Sequence, residues 1–226
     1  SESLNFSPVG RNISQNPRRM AVGDWNHDGR MDLAYTCSSE SVLILLLGQG
    51  DGTLGPPALT SLGTATQKPQ DLLAIDADGD SKLDLIVAVL DGVQTLRGDG
   101  KGGFVPGPSM KTGTIPSLLA LVRQPDNDKR TLVVSDITDK TLSLVALRKD
   151  GSYETPQVIA TSSFPTELSA GDITGDGFDE VFAMESALLW VFKRNGLGGY
   201  SAELLPTPGC AAQGMSLADL NLDGRL

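Results

Sequence analysis

The chain has 226 residues, a net charge of −10, one histidine and two cysteines, with a pI near 4.5. The acidity, with no basic run against it, argues against nucleic-acid binding. One His and two distant Cys leave no Ser-His-Asp or Cys-His catalytic set and no paired-thiol zinc site. No apolar run reaches the length that a membrane helix needs.

Taken in order, residues 1–19 open with Leu4-Asn5-Phe6-Ser7-Pro8-Val9, which resembles the stretches at Phe104–Met110, Tyr153–Ala160 and Tyr200–Pro206 that close later units. The chain is therefore expected to begin on the last strand of a repeat. A strand is predicted at Met20–Gly23, then an acidic loop, a strand at Leu33–Cys37, a polar turn and a strand at Val42–Leu47. A Gly-Asp-Gly hairpin signal at Gly48–Thr53 leads into a ragged fourth strand. The second unit predicts strands at Leu72–Ile75, Leu85–Leu90, Val93–Leu96 and Phe104–Met110, with Asp91-Gly92 as a two-residue turn. The third predicts them at Leu118–Val122, Leu132–Ile137, Thr141–Arg148 and Tyr153–Ala160. The fourth predicts them at Leu168–Gly171, Val181–Met184, Leu188–Lys193 and Tyr200–Leu205, and a lone strand is expected at Gly214–Ala218. Runs such as Leu85-Ile86-Val87-Ala88-Val89-Leu90 are apolar on both faces, so those strands must be covered on both sides.

The acidic loops set the period. Asp24, Asn26, Asp28 and Asp32 place oxygen side chains at positions 1, 3, 5 and 9 of one loop, with Gly29 at position 6 for a sharp turn. A hard cation takes six to eight oxygens at about 2.3–2.6 Å, gathered from alternate residues of such a loop. The spacing returns at Asp76, Asp78, Asp80 and Asp84, and more weakly at Asp172, Thr174, Asp176 and Glu180. Asp219, Asn221 and Asp223 begin a further loop. Loop starts lie 52, 96 and 47 residues apart, and the middle member of the double step is read as Gln124 to Leu132. There positions 1 and 9 are no longer acids, and Lys129 and Arg130 add positive charge, so that loop is expected to be metal-free. A period of 40 to 50 residues indicates supersecondary units that bury a core only against their neighbours. The units fall at about 20–66, 67–114, 115–163 and 164–210, with partial units at 1–19 and 211–226. Four short strands per unit predict an all-β fold, a β-propeller of four whole blades plus partial ones.

The residues Asp24-x-Asn26-x-Asp28-Gly29-x-x-Asp32-Leu33, Asp76-x-Asp78-x-Asp80-x-x-x-Asp84-Leu85 and Asp172-x-Thr174-x-Asp176-Gly177-x-x-Glu180-Val181 resemble the FG-GAP or VCBS-type repeats. Leu45-Leu46-Leu47-Gly48-Gln49-Gly50-Asp51-Gly52-Thr53 is similar to the third-strand turn of bacterial members. Such repeats occur in integrin α-subunit propellers, fungal propeller lectins and bacterial secreted proteins. The resemblance implies about two to three Ca2+ ions, held by the loop oxygens with Arg30, Lys82 and Phe178 contributing backbone carbonyls only. It also implies a secreted or extracellular, non-catalytic module for a protein or glycan partner, and more blades than 226 residues build at this period. The missing strands are expected from unseen sequence, a second copy or another protein, so self-association or a completing chain is expected. The alternative is an accessory domain of a secreted enzyme whose catalytic residues lie elsewhere.

Other features carry bland readings beside sharp ones. Tyr35, Tyr153, Tyr200 and Trp190 lie within predicted strands, where aromatic residues are usually core, while Trp25 and His27, at even loop positions, are expected to be exposed. Arg97-Gly98-Asp99 falls on a predicted hairpin tip and reads as a turn before it reads as a recognition tripeptide. Cys37 and Cys210 either pair or are two buried thiols, and Asn5-Phe6-Ser7 and Asn12-Ile13-Ser14 are glycosylation sequons only in a eukaryotic secreted chain.

Overall fold

The computed structural model describes residues 17–63, 68–123, 130–185, 188–195, 199–205, 215 and 217–219. Among these there are sixteen strands in four antiparallel four-stranded sheets, each paired in chain order. Blade 1 holds β1 (Pro17–Gly23), β2 (Asp32–Cys37), β3 (Val42–Gly48) and β4 (Leu54–Ser61). Blade 2 holds β5 (Asp71–Ile75), β6 (Asp84–Val89), β7 (Gly92–Gly98) and β8 (Phe104–Met110). Blade 3 holds β9 (Pro116–Arg123), β10 (Arg130–Asp136), β11 (Thr141–Leu147) and β12 (Gln157–Ala160). Blade 4 holds β13 (Glu167–Gly171), β14 (Glu180–Glu185), β15 (Leu188–Arg194) and β16 (Tyr200–Leu205).

The first strands β1, β5, β9 and β13 contact one another in succession, and the core lies between sheets. In β6 the period-2 alternation of a strand divides the side chains cleanly. Leu85 and Val87 join Ala34, Leu43 and Leu45 of blade 1, and Ile86 and Ala88 join Leu132, Val134 and Val145 of blade 3. All four β6 residues are completely buried, each large one stabilising the fold by about 1.5–3 kcal/mol. A third cluster joins Val133, Leu142 and Leu144 of blade 3 to Val181, Ala183 and Phe192 of blade 4. The apolar run on both faces is thus explained by a sheet on each side.

Two expectations need correction. The predicted strand Tyr153–Ala160 is split, because Tyr153 makes only an isolated bridge to Leu147 while the strand proper is Gln157–Ala160. The third loop also closes one residue earlier than its spacing predicts. In blades 1, 2 and 4 the pair that closes the acidic loop is Gly23↔Asp32, Ile75↔Asp84 and Gly171↔Glu180. The pair of equal separation in blade 3 is Val122↔Thr131, and the ladder runs on to Arg123↔Arg130. Position 9 therefore falls on Thr131, and Leu132 is a core residue with no exposure. A one-residue slip exchanges the faces of a strand, and this register alone turns Leu132 and Val134 towards blade 2. Residues 124–129, which carry the remainder of that loop, lie outside the described residues.

Candidate metal centre

The three acidic loops are built alike from backbone hydrogen bonds. The first acid caps the turn: Asp24 accepts the N–H groups of Asp28 and Gly29 at 3.1 and 2.9 Å. Asp76 accepts those of Gly79, Asp80 and Ser81 at 2.8, 3.1 and 2.9 Å, and Asp172 those of Gly175 and Gly177 at 2.7 Å each. The amides converge because positions 4 and 6 are both left-handed, at His27 (58°) and Gly29 (80°), Gly79 (77°) and Ser81 (67°), and Gly175 (74°) and Gly177 (87°). The sequence marked only position 6, and in the second loop that position is a serine. The fifth-position acids Asp28, Asp80 and Asp176 accept the amides of Arg30, Lys82 and Phe178, each at 2.9 Å. Asn26 donates to Asp28 at 2.9 Å, and Thr174 lies 3.4 Å from Asp172.

The ninth residue is a buried staple. Asp32 accepts the Trp25 amide at 2.9 Å and the Gly48 amide at 2.8 Å, and Asp84 accepts those of Ala77 and Gly98 at 2.8 Å each. Glu180 accepts the Ile173 amide at 3.0 Å. Its carboxylate thus ties position 2 of the loop to the start of the second strand and, in blades 1 and 2, to the end of the third. Among the described residues, one group of three acids comes together: ligand oxygens of Asp76, Asp78 and Asp84 lie within 4.8 Å of one another. An all-oxygen acidic set on a tight loop fits a hard divalent cation, calcium before magnesium, which resists dehydration. Asp219 is described, outside regular structure; Asn221 and Asp223 lie outside the described residues.

Neighbouring blades close over these loops. Gly102 in the β7–β8 turn donates to the carbonyl of Trp25 at 3.2 Å. Around the second loop, Arg97 Nε lies 3.1 Å from Asp78 Oδ2 and Lys82 Nζ 2.7 Å from Asp80 Oδ2. Arg130 of blade 3 donates to the carbonyls of Asp76 and Ala77. Two further carboxylates, unmarked by any motif, stitch blades together. Asp71 accepts the Leu119 amide at 2.8 Å and faces Arg19 at 3.6 Å. Asp179 accepts the Arg123 amide at 2.7 Å and returns its own to the Arg123 carbonyl at 3.2 Å. The available signal for Asp71 was an acid placed in an otherwise apolar strand.

Trp25 is 1% exposed, contrary to expectation. Position 2 does point away from the loop oxygens, but it points into the core, where the indole meets Phe104 edge-on with centroids 6.4 Å apart. Ala77, at position 2 of the second loop, is equally buried. His27 is exposed, as are loop residues around it. The Arg97-Gly98-Asp99 tripeptide is tied down: Arg97 contacts Asp78 and the Asp150 carbonyl, Gly98 is buried, and Asp99 accepts the Lys101 and Gly103 amides. Cys37 is buried; Cys210 and both sequons lie outside the described residues. On the end opposite the acidic loops, an open groove of about 500 Å3 runs between blades 1 and 2, lined by Leu62, Val93, Gln94, Met110 and Lys111 among others.

The carboxylates fall into two electrostatic groups. Burial raises the pKa of Asp71, Asp84 and Asp136 against the hydrogen bonds each accepts. For Asp24 and Asp172, burial also raises the pKa, but the loop amides together outweigh it and the net shift is downward. The side-chain hydrogen bond from Lys82 lowers that of Asp80. A raised group adds stability below its unfolded value, near 3.8, and that stability is lost as pH rises through its folded value; a lowered group does the opposite, losing its stability as pH falls below 3.8. In chelator, the melting temperature is therefore expected to rise as the pH is lowered from 7 towards the unfolded carboxylate value of 3.8 and to fall as the pH drops below it. Thermal melts across that range check it, and Asp71→Asn should flatten the rise; a steady fall from pH 7 downward contradicts it.

Four-bladed arrays of four-stranded antiparallel sheets with inner first strands define a β-propeller. Residues 24–87 match the family model of the FG-GAP-like repeat, and the chain is a β-propeller that carries an FG-GAP-like repeat over that stretch. Similar folds occur in a putative 6-phosphogluconolactonase from Bacteroides uniformis (18% identity, TM-score 0.62, 87% of this chain and 57% of that one). They occur also in BBS1N, crystallised in complex with ARL6DN (14%, 0.61, 86% and 56%). A third is an Agrocybe aegerita lectin described as recognising non-reducing terminal N-acetylglucosamine (16%, 0.54, 84% and 52%). These likenesses concern the fold, and the chain spans slightly more than half the length of each. No curated protein sequence matches the chain, and among the described residues no helix is long and apolar enough to cross a membrane.

Proposed function

We propose that the chain is a calcium-stabilised, secreted or cell-surface propeller module that binds a protein or glycan partner and performs no catalysis itself. The observation that carries the calcium part is the convergence of Asp76, Asp78 and Asp84 within 4.8 Å in a loop whose construction is repeated in blades 1 and 4. Such a loop would hold the cation through Asp76, Asp78, Asp80 and Asp84, with the Lys82 carbonyl. The corresponding sets are Asp24, Asn26, Asp28 and Asp32 with Arg30, and Asp172, Thr174, Asp176 and Glu180 with Phe178. When bound, the ion supplies positive charge to carboxylates that otherwise repel one another.

The binding part is supported by the groove between blades 1 and 2 and by two propeller neighbours, one crystallised as a protein complex and one a lectin that recognises terminal N-acetylglucosamine. A completing partner is supported by an exposed face on blade 1. Met20, Val22 and Met31 are 69%, 60% and 67% exposed, whereas the blade 2 counterpart of Met20, Leu72, is 7% exposed against its preceding blade.

Calcium added to chelator-stripped protein is expected to bind with a Kd of about 10⁻⁴–10⁻³ M and to raise the melting temperature at millimolar concentrations. Calorimetric titration with parallel melts tests this, and neither heat nor a shift would refute it. A glycan array on the calcium-loaded protein then separates a glycan partner, giving selective signal, from a protein partner, giving none.

A further inference from the structure

The acidic loop with the closest carboxylates also has basic side chains on it, and one of these belongs to the wall of the site. Asp78 is 17% exposed and Arg97 38%, with Nε 3.1 Å from Asp78 Oδ2. The contact is one of charge: Nε is buried and makes no aligned hydrogen bond. The other arm of the guanidinium is fixed, since Nη2 donates to the Asp150 carbonyl in the β11–β12 hairpin of blade 3 at 2.8 Å. That hairpin sits directly on the loop, because a Cβ added at Gly151 would lie 3.1 Å from Asp78 Cβ and 3.5 Å from Arg97 Nη2. Gly48 and Gly98 each end a third strand just before a turn closed by Gln49 to Thr53 or Asp99 to Gly103, so Leu47 of blade 1 stands where Arg97 stands in blade 2.

We propose that Arg97 is an internal counter-ion that sets the calcium affinity of the second loop and couples its occupancy to the contact between blades 2 and 3. The proposal rests on the calcium reading above. Without a cation, the guanidinium offsets the mutual repulsion of Asp76, Asp78 and Asp84 and holds the hairpin of blade 3 on the loop. A divalent cation on the same carboxylates meets a fixed positive charge next to Asp78, so it binds more weakly than in a loop lacking the arginine. Affinity and metal-free stability are then linked with opposite signs: what strengthens one weakens the other.

The test compares wild type, Arg97→Leu and Arg97→Lys by calcium calorimetry and by melts with chelator and with calcium. Asp78→Asn identifies the binding step that belongs to this loop. Arg97→Leu should bind calcium at that step roughly five- to tenfold more tightly, melt lower in chelator, and show a larger calcium-induced shift. Arg97→Lys, which keeps the charge, should stay within about twofold of wild-type affinity. If wild type binds calcium but the step in Arg97→Leu is unchanged or weaker, the proposal falls alone. If Arg97→Leu does not fold in chelator, Arg97→Lys decides, since a tighter step there also overturns the charge argument. If wild type shows no calcium binding, the underlying reading falls, and this proposal with it.

Discussion

Gly98→Ala is expected to be among the most damaging single substitutions in the protein, lowering stability by about 4 kcal/mol or more and the melting temperature by roughly 10–15 °C. Gly98 ends β7 and gives its amide to Asp84 at 2.8 Å. A Cβ built on it would lie 2.2 Å from the Leu83 carbonyl oxygen and 3.2 Å from the carbonyl carbon. Both are backbone atoms of the acidic loop, so no side-chain rotation relieves the overlap. The strand must move away, and that movement breaks the carboxylate's bond to the amide. Gly48 repeats the arrangement in blade 1, with the Met31 carbonyl oxygen at 2.2 Å, and Gly48→Ala should behave alike. Gly52→Ala is the matched control: open space surrounds that position, and its φ of 86° costs only about 1–2 kcal/mol. Thermal melts of the three variants side by side check this ordering, and a Gly98→Ala protein no worse than Gly52→Ala would contradict it.

Asp84→Ala comes next, with an expected loss of about 3–5 kcal/mol, measured in chelator so that no cation contributes. The carboxylate is 1% exposed and satisfies the buried amides of Ala77 and Gly98. Removing it strands both donors, each at a cost of about 1–3 kcal/mol. Glu180→Ala should cost less, because one loop amide depends on it. Denaturant melts in chelator settle the matter. If Asp84→Ala equals wild type there and differs only with calcium present, the residue is a ligand and not a staple.

The acidic loops were legible because alternate oxygen side chains around a tight turn leave a spacing that survives in one dimension, and Leu85-Ile86-Val87-Ala88 announced a strand covered twice. The staple role of position 9 was not, since nothing in the sequence around Asp32 or Asp84 distinguishes an acid that would face an ion from one that accepts two amides. The burial of Trp25 is invisible in the sequence for a related reason: the loop's alternation says which side chains turn away from its centre, and only the neighbouring blade decides whether that direction is water or core. The slip in blade 3 was hidden because Gln124 to Leu132 aligns plausibly by spacing. Strand register is settled by long-range partners instead, Leu132 and Val134 needing to meet Ile86 and Ala88. The pairs made by Asp71 with Leu119 and by Asp179 with Arg123 join residues 48 and 56 positions apart, beyond any local pattern.

The seating of two successive hairpins on the loops before them gives this part of the array a direction. Gly102 of blade 2 caps the loop of blade 1, and the Asp150–Gly151 turn of blade 3 caps that of blade 2. The loops of blades 1 and 2 are thus finished by sequence that emerges well after them. In a linear array whose stability resides in nearest-neighbour terms, a growing chain can complete one blade's hydrogen-bonded ladder and still hold its acidic loop uncovered until the following blade has turned back. The units are consequently consolidated in overlapping pairs, the later member locking the earlier, so damage to a hairpin is felt first one blade upstream of where it occurs.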